Sequence, residues 1–299
     1  MKPNKPKDPV TPARRAWPER LRRWLGRRPQ PPAEAEPGLL VAQASHPGRR
    51  DYNEDRFGWF STAHGELFLV ADGLGGHNGG QEAAETVLAA FRDFFEHGAD
   101  LEPIPKERIT LVLDSPARSP AARPDPEALL LQALLGADHQ VYQKGEAEPA
   151  LAGLGSTVVA LLLRGEEAWY THAGDSRLYL FSRGRLRQLT RDHSLVQEMV
   201  DSGRLSLPEA EKHPDRHLLT QSLGGYLDPG HISGSRLRPS AGDLFLLCSD
   251  GLTGPVSPEN ISRVLEQPWS LQRRAEQLVE LALAAGGSDN VTVQLVSIP

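Results

Sequence analysis

A chain of 299 residues, 39% of them hydrophobic, can bury one large sheet-based core, so a length-only expectation of two domains does not bind. No run approaches the ~18 uninterrupted apolar residues of a membrane helix and no apolar signal core follows the basic N-terminus, so the expected address is cytoplasmic. Residues 1–36 hold 10 Lys+Arg against 4 Asp+Glu, or +6, which leaves −12 for the rest of a chain whose net charge is −6. An acidic body argues against nucleic acid as the partner, because a phosphate backbone demands a basic face; it suits a holder of divalent cations. The single cysteine, Cys248, excludes a disulfide within the chain and, inside LFLLCSDG, reads as core packing.

Residues 1–36 form a Pro/Arg-rich basic extension, expected to be disordered or a linker. Within it, residues 14–28 place Trp17, Leu21, Trp24 and Leu25 at helical spacing among arginines, the pattern of a short amphipathic helix. Such a helix could rest on an anionic membrane as a peripheral contact, or dock on a partner; a solvated tail packed on the parent domain is the alternative.

Residues 37–299 form the expected folded unit. LLVAQAS, DRFGWFS and GELFLVAD read as strands joined by short turns. GGQEAAETVLAAFRDFFEHG then changes period, with Ala84, Val87, Leu88, Phe91 and Phe95 on one helical face. Residues 102–126 carry six prolines and read as an exposed loop insertion. A second helix aligns Leu130, Ala133, Leu134, Ala137 and Val141, and three strand candidates follow: GSTVVALLLR, EEAWYTHAGD and RLYLFSRGRLRQL. Residues 190–230 break the strand pattern and are long for a plain connection, which suggests a functional flap. The chain ends strand (DLFLLCSD), helices (258–266 and 270–285), strand (NVTVQLVSI). Strand-rich stretches interrupted by helix pairs favour a layered α+β sandwich over a doubly wound parallel sheet.

Five acids set the reading: Asp72, Asp175 and Asp250 stand beside glycine, and Asp55 and Asp289 stand just before strand-like runs. Carboxylates meeting at strand rims repel one another unless cations neutralise them, and oxygen ligands without cysteine or paired histidines select Mg²⁺ or Mn²⁺ over zinc. In LFLVADGLGGH the bare glycine lets the Asp72 carboxylate and a nearby backbone carbonyl face one cation; SDG at 249–251 repeats the design. A strand ending in Asp-Gly is also an ordinary turn, and the repetition is what favours metal. Arg50, in R-D-Y-N-E-D, offers a planar fork for phosphate oxygens beside Glu54 and Asp55.

The ordered set R-x-x-N-E-D, D-G-x-G-G-H, G-S-T, G-D-S-R, L-T-x-D-H-S, S-D-G-L and D-N, running from about residue 38 to 298, resembles the metal-dependent Ser/Thr protein phosphatases, the PPM or type 2C class, in their bacterial form. The resemblance implies a four-layer αββα sandwich in which two central antiparallel β-sheets are flanked by helices. It implies two Mn²⁺ or Mg²⁺ ions bridged by Asp72, with the Gly73 carbonyl, Asp250 and Asp289 as further ligands. Glu54 and Asp55 would order water, Arg50 would grip phosphate, and Asp175 with Asp250 would match a third, weaker metal site. Ser156, Thr157, Arg177 and His77 are expected to serve structurally. One departure matters: the histidine that follows D-G in some members is Leu74 here, so the leaving group must be protonated by another donor. The reaction implied is hydrolysis of phosphoserine and phosphothreonine in proteins by a metal-bridged hydroxide, by a monomer opposing a bacterial Ser/Thr kinase. A phosphoprotein-binding pseudophosphatase would lack a metal carboxylate, and none is missing; a two-metal nuclease conflicts with the acidic body.

Overall fold

The computed structural model describes residues 38–75, 79–98, 125–225, 227–232 and 234–299. The N-terminal extension with its candidate helix at 14–28, residues 102–124 of the loop insertion, and His77 lie outside them. Asp125 and Pro126, read as the end of that insertion, instead start a helix: Asp125 caps it by accepting from the Glu127 N–H, and Pro126 fills the first turn, where no N–H is needed.

In chain order the strands begin with β1 (Leu40–His46), β2 (Arg56–Thr62), β3 (Gly65–Ala71) and the short β4 (Gly73–Leu74). Helices α1 (Gly79–His97) and α2 (Pro126–Ala147) follow, then β5 (Gly155–Ser156), β6 (Val158–Arg164), β7 (Glu167–Ala173), β8 (Arg177–Ser182) and β9 (Arg185–Gln188). After α3 (Leu195–Asp201) and α4 (Leu207–Ala210) come β10 (Ser235–Leu237), β11 (Leu244–Cys248), α5 (Asp250–Thr253), α6 (Pro258–Leu265), α7 (Leu271–Ala284) and β12 (Val291–Ser297).

Two five-stranded antiparallel sheets, ordered β1-β12-β11-β8-β9 and β10-β7-β6-β3-β2, form the centre. The period-2 alternation of β3 explains the layering: Leu67, Leu69 and Ala71 face α1 and α2, while Phe68 and Val70 face the other sheet. Phe245, Leu247, Leu178 and Val159 complete the inter-sheet core, and α6 and α7 cover the β1-β12-β11-β8-β9 sheet through Ile261, Val264, Leu278 and Val279. The result is the expected four-layer αββα sandwich. Each fully buried Phe or Leu contributes about 1.5–3 kcal/mol against remaining in water.

The run RLYLFSRGRLRQL, read as one strand, is a hairpin. Arg183 and Gly184 both adopt positive φ (51° and 73°), the pair a tight two-residue turn requires, and Ser182 pairs with Arg185 across it.

Register then determines where the acids stand. His46 pairs with Val291, Arg56 with Ala71, Val158 with Ala173 and Arg177 with Cys248, so β1, β3, β7 and β11 end where β12, β2, β6 and β8 begin. Arg50, Glu54, Asp55, Asp72, Asp175 and Asp289 lie in the connections at that shared end, and Asp250 opens α5 there. The segment 190–230 holds α3 and α4 and returns to the same end through bridges Ser194↔Leu219 and Ser156↔Leu223.

Candidate active site

Asp72 follows β3, and its backbone is held from two sides. Its N–H donates to Thr157 Oγ1 (3.1 Å), and its carbonyl accepts from the Thr157 N–H (2.8 Å) and Ser156 Oγ (3.0 Å). Thr157 Oγ1 is in turn bonded to Ser176 Oγ at 2.7 Å, beside Asp175. The next residue, Gly73, pairs with Ser156 and presses on the start of α1: a Cβ at Gly73 would lie 1.8 Å from the Gly80 carbonyl oxygen. A Cβ at Gly80 would lie 2.5 Å from Glu54 Oε1 and 2.7 Å from the Gly73 carbonyl oxygen, so these two oxygens flank one hollow that only glycine leaves open.

The acids from the other connections are fixed by polar side chains. Asp55 is buried, and its Oδ2 accepts from Ser249 Oγ at 2.7 Å; Ser249 Oγ accepts from the Thr292 N–H at 3.0 Å. Asn290 staples the 47–55 loop, with Nδ2 donating to the Pro47 and Tyr52 carbonyls (both 2.9 Å) and Oδ1 accepting from the Glu54 N–H (2.7 Å). Asp289 Oδ1 accepts from the Asn290 N–H (2.8 Å), and Oδ2 accepts from Arg50 Nη2 (2.8 Å). Arg177 forks onto Asp192 through Nε (2.8 Å) and Nη2 (2.6 Å), which closes the connection around Asp175. Asn290, Ser249, Thr292 and Gly80 were not singled out from sequence; the paired glycines at 79–80 were the one local signal.

Burial and mutual repulsion govern the charges. Burial first, then the charges of Asp55, Asp250, Asp175 and Asp289, hold the Asp72 carboxyl well above the usual range. Burial pushes Asp175 up to about 8, helped by Asp250 and Asp192 and opposed by Arg177. Asp55 rises to about 7 by burial against the hydrogen bonds of Ser249 and Thr292. Asp250 and Glu54 rise for the same leading reason, and Asp250 stands close enough to Asp72 to share a hydrogen bond. The acids are therefore one electrostatic unit.

Glu54 Oε1, Asp55 Oδ1 and Asp250 Oδ1 are buried with no hydrogen-bond partner among the described residues. Buried carboxylate oxygens without donors are costly, and an oxygen-only set is what a hard divalent cation such as Mn²⁺ or Mg²⁺ takes. The residues present fit such ions. The convergence is looser than a closed ligand set: among the described residues, the only three acidic or histidine side chains with ligand atoms all within 4.8 Å of one another are Asp93, Glu96 and His97, on the exposed end of α1. Like charges spread apart, and Asp289 is drawn towards Arg50.

His193, in the 190–230 flap, is engaged by neighbouring groups. His193 stacks on His172 (centroids 4.4 Å) and accepts from the Gly174 N–H through Nδ1 at 3.3 Å; burial, with His172 and His231, pushes its pKa down to about 3. Leu74 pairs with Gly155, so no histidine stands directly after Gly73. Cys248 is buried, and burial pushes its thiol up to about 12, which fits packing rather than nucleophilic use.

A layered sandwich thus carries an oxygen-only acid cluster, a donor set suited to hard divalent cations, at the shared end of its sheets. The chain belongs to the protein phosphatase 2C family, whose pattern matches residues 42–285. Serine/threonine protein phosphatase PstP of Mycobacterium tuberculosis is 38% identical over 238 residues, 79% of this chain and 41% of that protein, so the chain spans less than half of this relative. Serine/threonine phosphatase stp of Listeria welshimeri is 32% identical over 250 residues, 83% of this chain and 90% of that one. The crystal structure of the catalytic domain of PstP in complex with two manganese ions matches with a TM-score of 0.68 at 34% identity, over 87% of this chain and 99% of that one.

Proposed function

We propose that this chain hydrolyses phosphoserine and phosphothreonine in proteins with divalent metal ions held at the shared end of its two sheets. The observation that carries the reading is the trio of buried carboxylate oxygens without hydrogen-bond partners among the described residues: Asp55 and Asp250, whose charges act on Asp72, and Glu54, which flanks the same hollow as the Gly73 carbonyl. The manganese of the PstP structure and the phosphatase names of both relatives support it.

Asp72, the Gly73 carbonyl, Asp250 and Asp289 would hold two Mn²⁺ or Mg²⁺ ions, and Asp175 with Asp250 a third. When bound, such ions supply Lewis acidity, lowering the pKa of water from about 15.7 towards neutrality and offsetting charge on the phosphoryl oxygens. The chain's own residues do the positioning. Thr157 and Ser156 hold the Asp72 backbone, Ser249 and Asn290 hold Asp55 and Glu54, and these two acids orient water by accepting its protons at their free oxygens. Arg50 presents its guanidinium to the phosphoryl oxygens, a charge-assisted contact matched to their geometry. With Leu74 beside Gly73, the leaving serine or threonine oxygen takes its proton from water.

Residues 37–299 make up the catalytic unit, with the 190–230 flap meeting the protein substrate. The partners are phosphoproteins made by a bacterial Ser/Thr kinase, and the enzyme acts as a cytoplasmic monomer. Among the described residues no helix is long and apolar enough to cross a membrane. Residues 14–28 are proposed as a peripheral membrane contact; binding to anionic vesicles that survives deletion of residues 1–36 would refute that role. Phosphate release from a phosphothreonine peptide, dependent on Mn²⁺ and absent with chelator, tests the activity. Peptide binding without release, or cleavage of DNA alone, would contradict it.

A further inference from the structure

Helix α2 buries one carboxylate that the proposed chemistry does not use. Asp138 is 1% exposed among Leu130, Leu134 and Val141, where an acid is costly unless it is well bonded. Its Oδ1 accepts two successive backbone N–H groups, from Gly224 at 2.9 Å and Gly225 at 3.1 Å. The two N–H groups converge on one carboxylate oxygen, as in an anion-binding nest, at a turn where both glycines hold positive φ (109° and 108°), a conformation that side chains disfavour. Side chains are barred there: a Cβ at Gly224 would lie 2.6 Å from the Leu154 carbonyl oxygen, and one at Gly225 would lie 3.0 Å from the Tyr142 ring.

The nest is joined to the acid cluster by a short series of bonds. Leu223, immediately before it, bridges Ser156 in both directions: the Leu223 N–H donates to the Ser156 carbonyl (2.8 Å) and the Ser156 N–H to the Leu223 carbonyl (3.1 Å). Ser156 Oγ then shares its one hydrogen between the Asp72 carbonyl (3.0 Å) and the Thr157 carbonyl (2.8 Å), while the Thr157 N–H also donates to the Asp72 carbonyl (2.8 Å). A cavity of about 310 Å³, lined by Val141, Tyr142, Leu154, Gly224 and Gly225, adjoins the nest, so a loosened turn has room to move. We infer that Asp138 is a positioning residue: it anchors the root of the 190–230 flap and, through Leu223 and Ser156, sets the backbone of Asp72. The inference rests on the proposed role of Asp72 and adds the element that holds it.

A single oxygen takes both bonds, so Asp138→Asn can keep them while Asp138→Ala cannot. In the full chain, Asp138→Ala should speed hydrogen exchange of the Leu223, Gly224 and Gly225 amides at least about 10-fold, locally rather than throughout the sheets. It should lower kcat on a phosphothreonine peptide by roughly 10- to 100-fold with KM nearly unchanged, the signature of a displaced reacting group. Asp138→Asn should restore both readouts. Adding Ser156→Ala to Asp138→Ala should cost less than the product of the two single losses, because both break one linkage. Unchanged exchange, an unchanged kcat in Asp138→Ala, no rescue by Asn, or multiplicative losses would each overturn the inference. If Asp138→Ala does not fold, Asp138→Ser carries the same comparison. Exchange needs no turnover, so a wild-type chain that released no phosphate would refute the proposed function while exchange still judged the anchor.

Discussion

Arg50 and Asp289 are 239 residues apart in sequence and meet at 2.8 Å, Nη2 to Oδ2, at the rim of the acid cluster. Their side chains are 54% and 39% exposed, so the pair adds only about 0–1 kcal/mol to stability. Its consequence is placement: the guanidinium is held against the loop before β12, where Arg50 Nε also donates to the Ser288 carbonyl at 3.3 Å. A phosphate carries more charge than the one carboxylate that Arg50 now holds, so under the proposed function a bound phosphate would draw it away from Asp289.

Arg50→Ala should therefore raise KM for a phosphothreonine peptide by roughly 10- to 100-fold, the value of a charge-assisted hydrogen bond, and lower kcat much less. Steady-state kinetics at saturating Mn²⁺ measures it. A fall in kcat at constant KM would move Arg50 from capture to the chemical step.

The acid cluster should make the metal-free protein less stable as pH rises. Burial sets the folded values of Asp55 and Asp175 at about 7 and about 8, above the ordinary 3.8, so between these limits the folded state holds protons that the unfolded chain has released. Their contribution to stability is present in full below pH ~4 and lost as pH rises through ~7 to 8. Thermal unfolding in chelator should show Tm falling across this window. Mn²⁺ should recover Tm most at the upper end, because ligand carboxylates must shed protons to bind it.

Gly80→Ala tests the hollow between Glu54 and Gly73. The added methyl would meet Glu54 Oε1 at 2.5 Å and the Gly73 carbonyl at 2.7 Å, and overpacking of this kind costs about 1–3 kcal/mol. Reduced Mn²⁺ affinity by calorimetry, together with lost turnover, is the expected outcome; a variant with wild-type affinity would separate this contact from the metals.

Ser249→Ala removes the donor to Asp55 Oδ2 and the acceptor for the Thr292 N–H within a buried network. Leaving such groups without partners should cost about 1–3 kcal/mol in urea unfolding. Loss of Mn²⁺ affinity should accompany it, since Asp55 would be free to turn.

Local pattern carried much of this architecture. The continuous apolar run of β3 ending in Asp-Gly, and its repeat at Asp250, are readable because a buried strand and a glycine turn each leave a local mark. The hairpin of β8 and β9 was missed because its turn, Arg183–Gly184, puts a non-glycine residue at positive φ, which composition does not announce. The bonding roles of Asn290 and Ser249, which stand in the D-N and S-D-G-L motifs, and of Asp138 were illegible for another reason. Each is an ordinary polar residue whose meaning lies in partners 238, 194 and 86 residues away, and only register brings them together. The loose gathering of Asp289 was also beyond sequence, since it depends on its bond to Arg50.

The central claim is that Asp72 holds the divalent ions on which turnover depends. Calorimetric titration of the metal-free chain with MnCl₂, run beside phosphate release from a phosphothreonine peptide, tests it in wild type and Asp72→Ala. The account predicts two tightly bound ions and turnover in wild type, and loss of both uptake and release in the variant. Equal Mn²⁺ uptake and equal phosphate release by Asp72→Ala would contradict it.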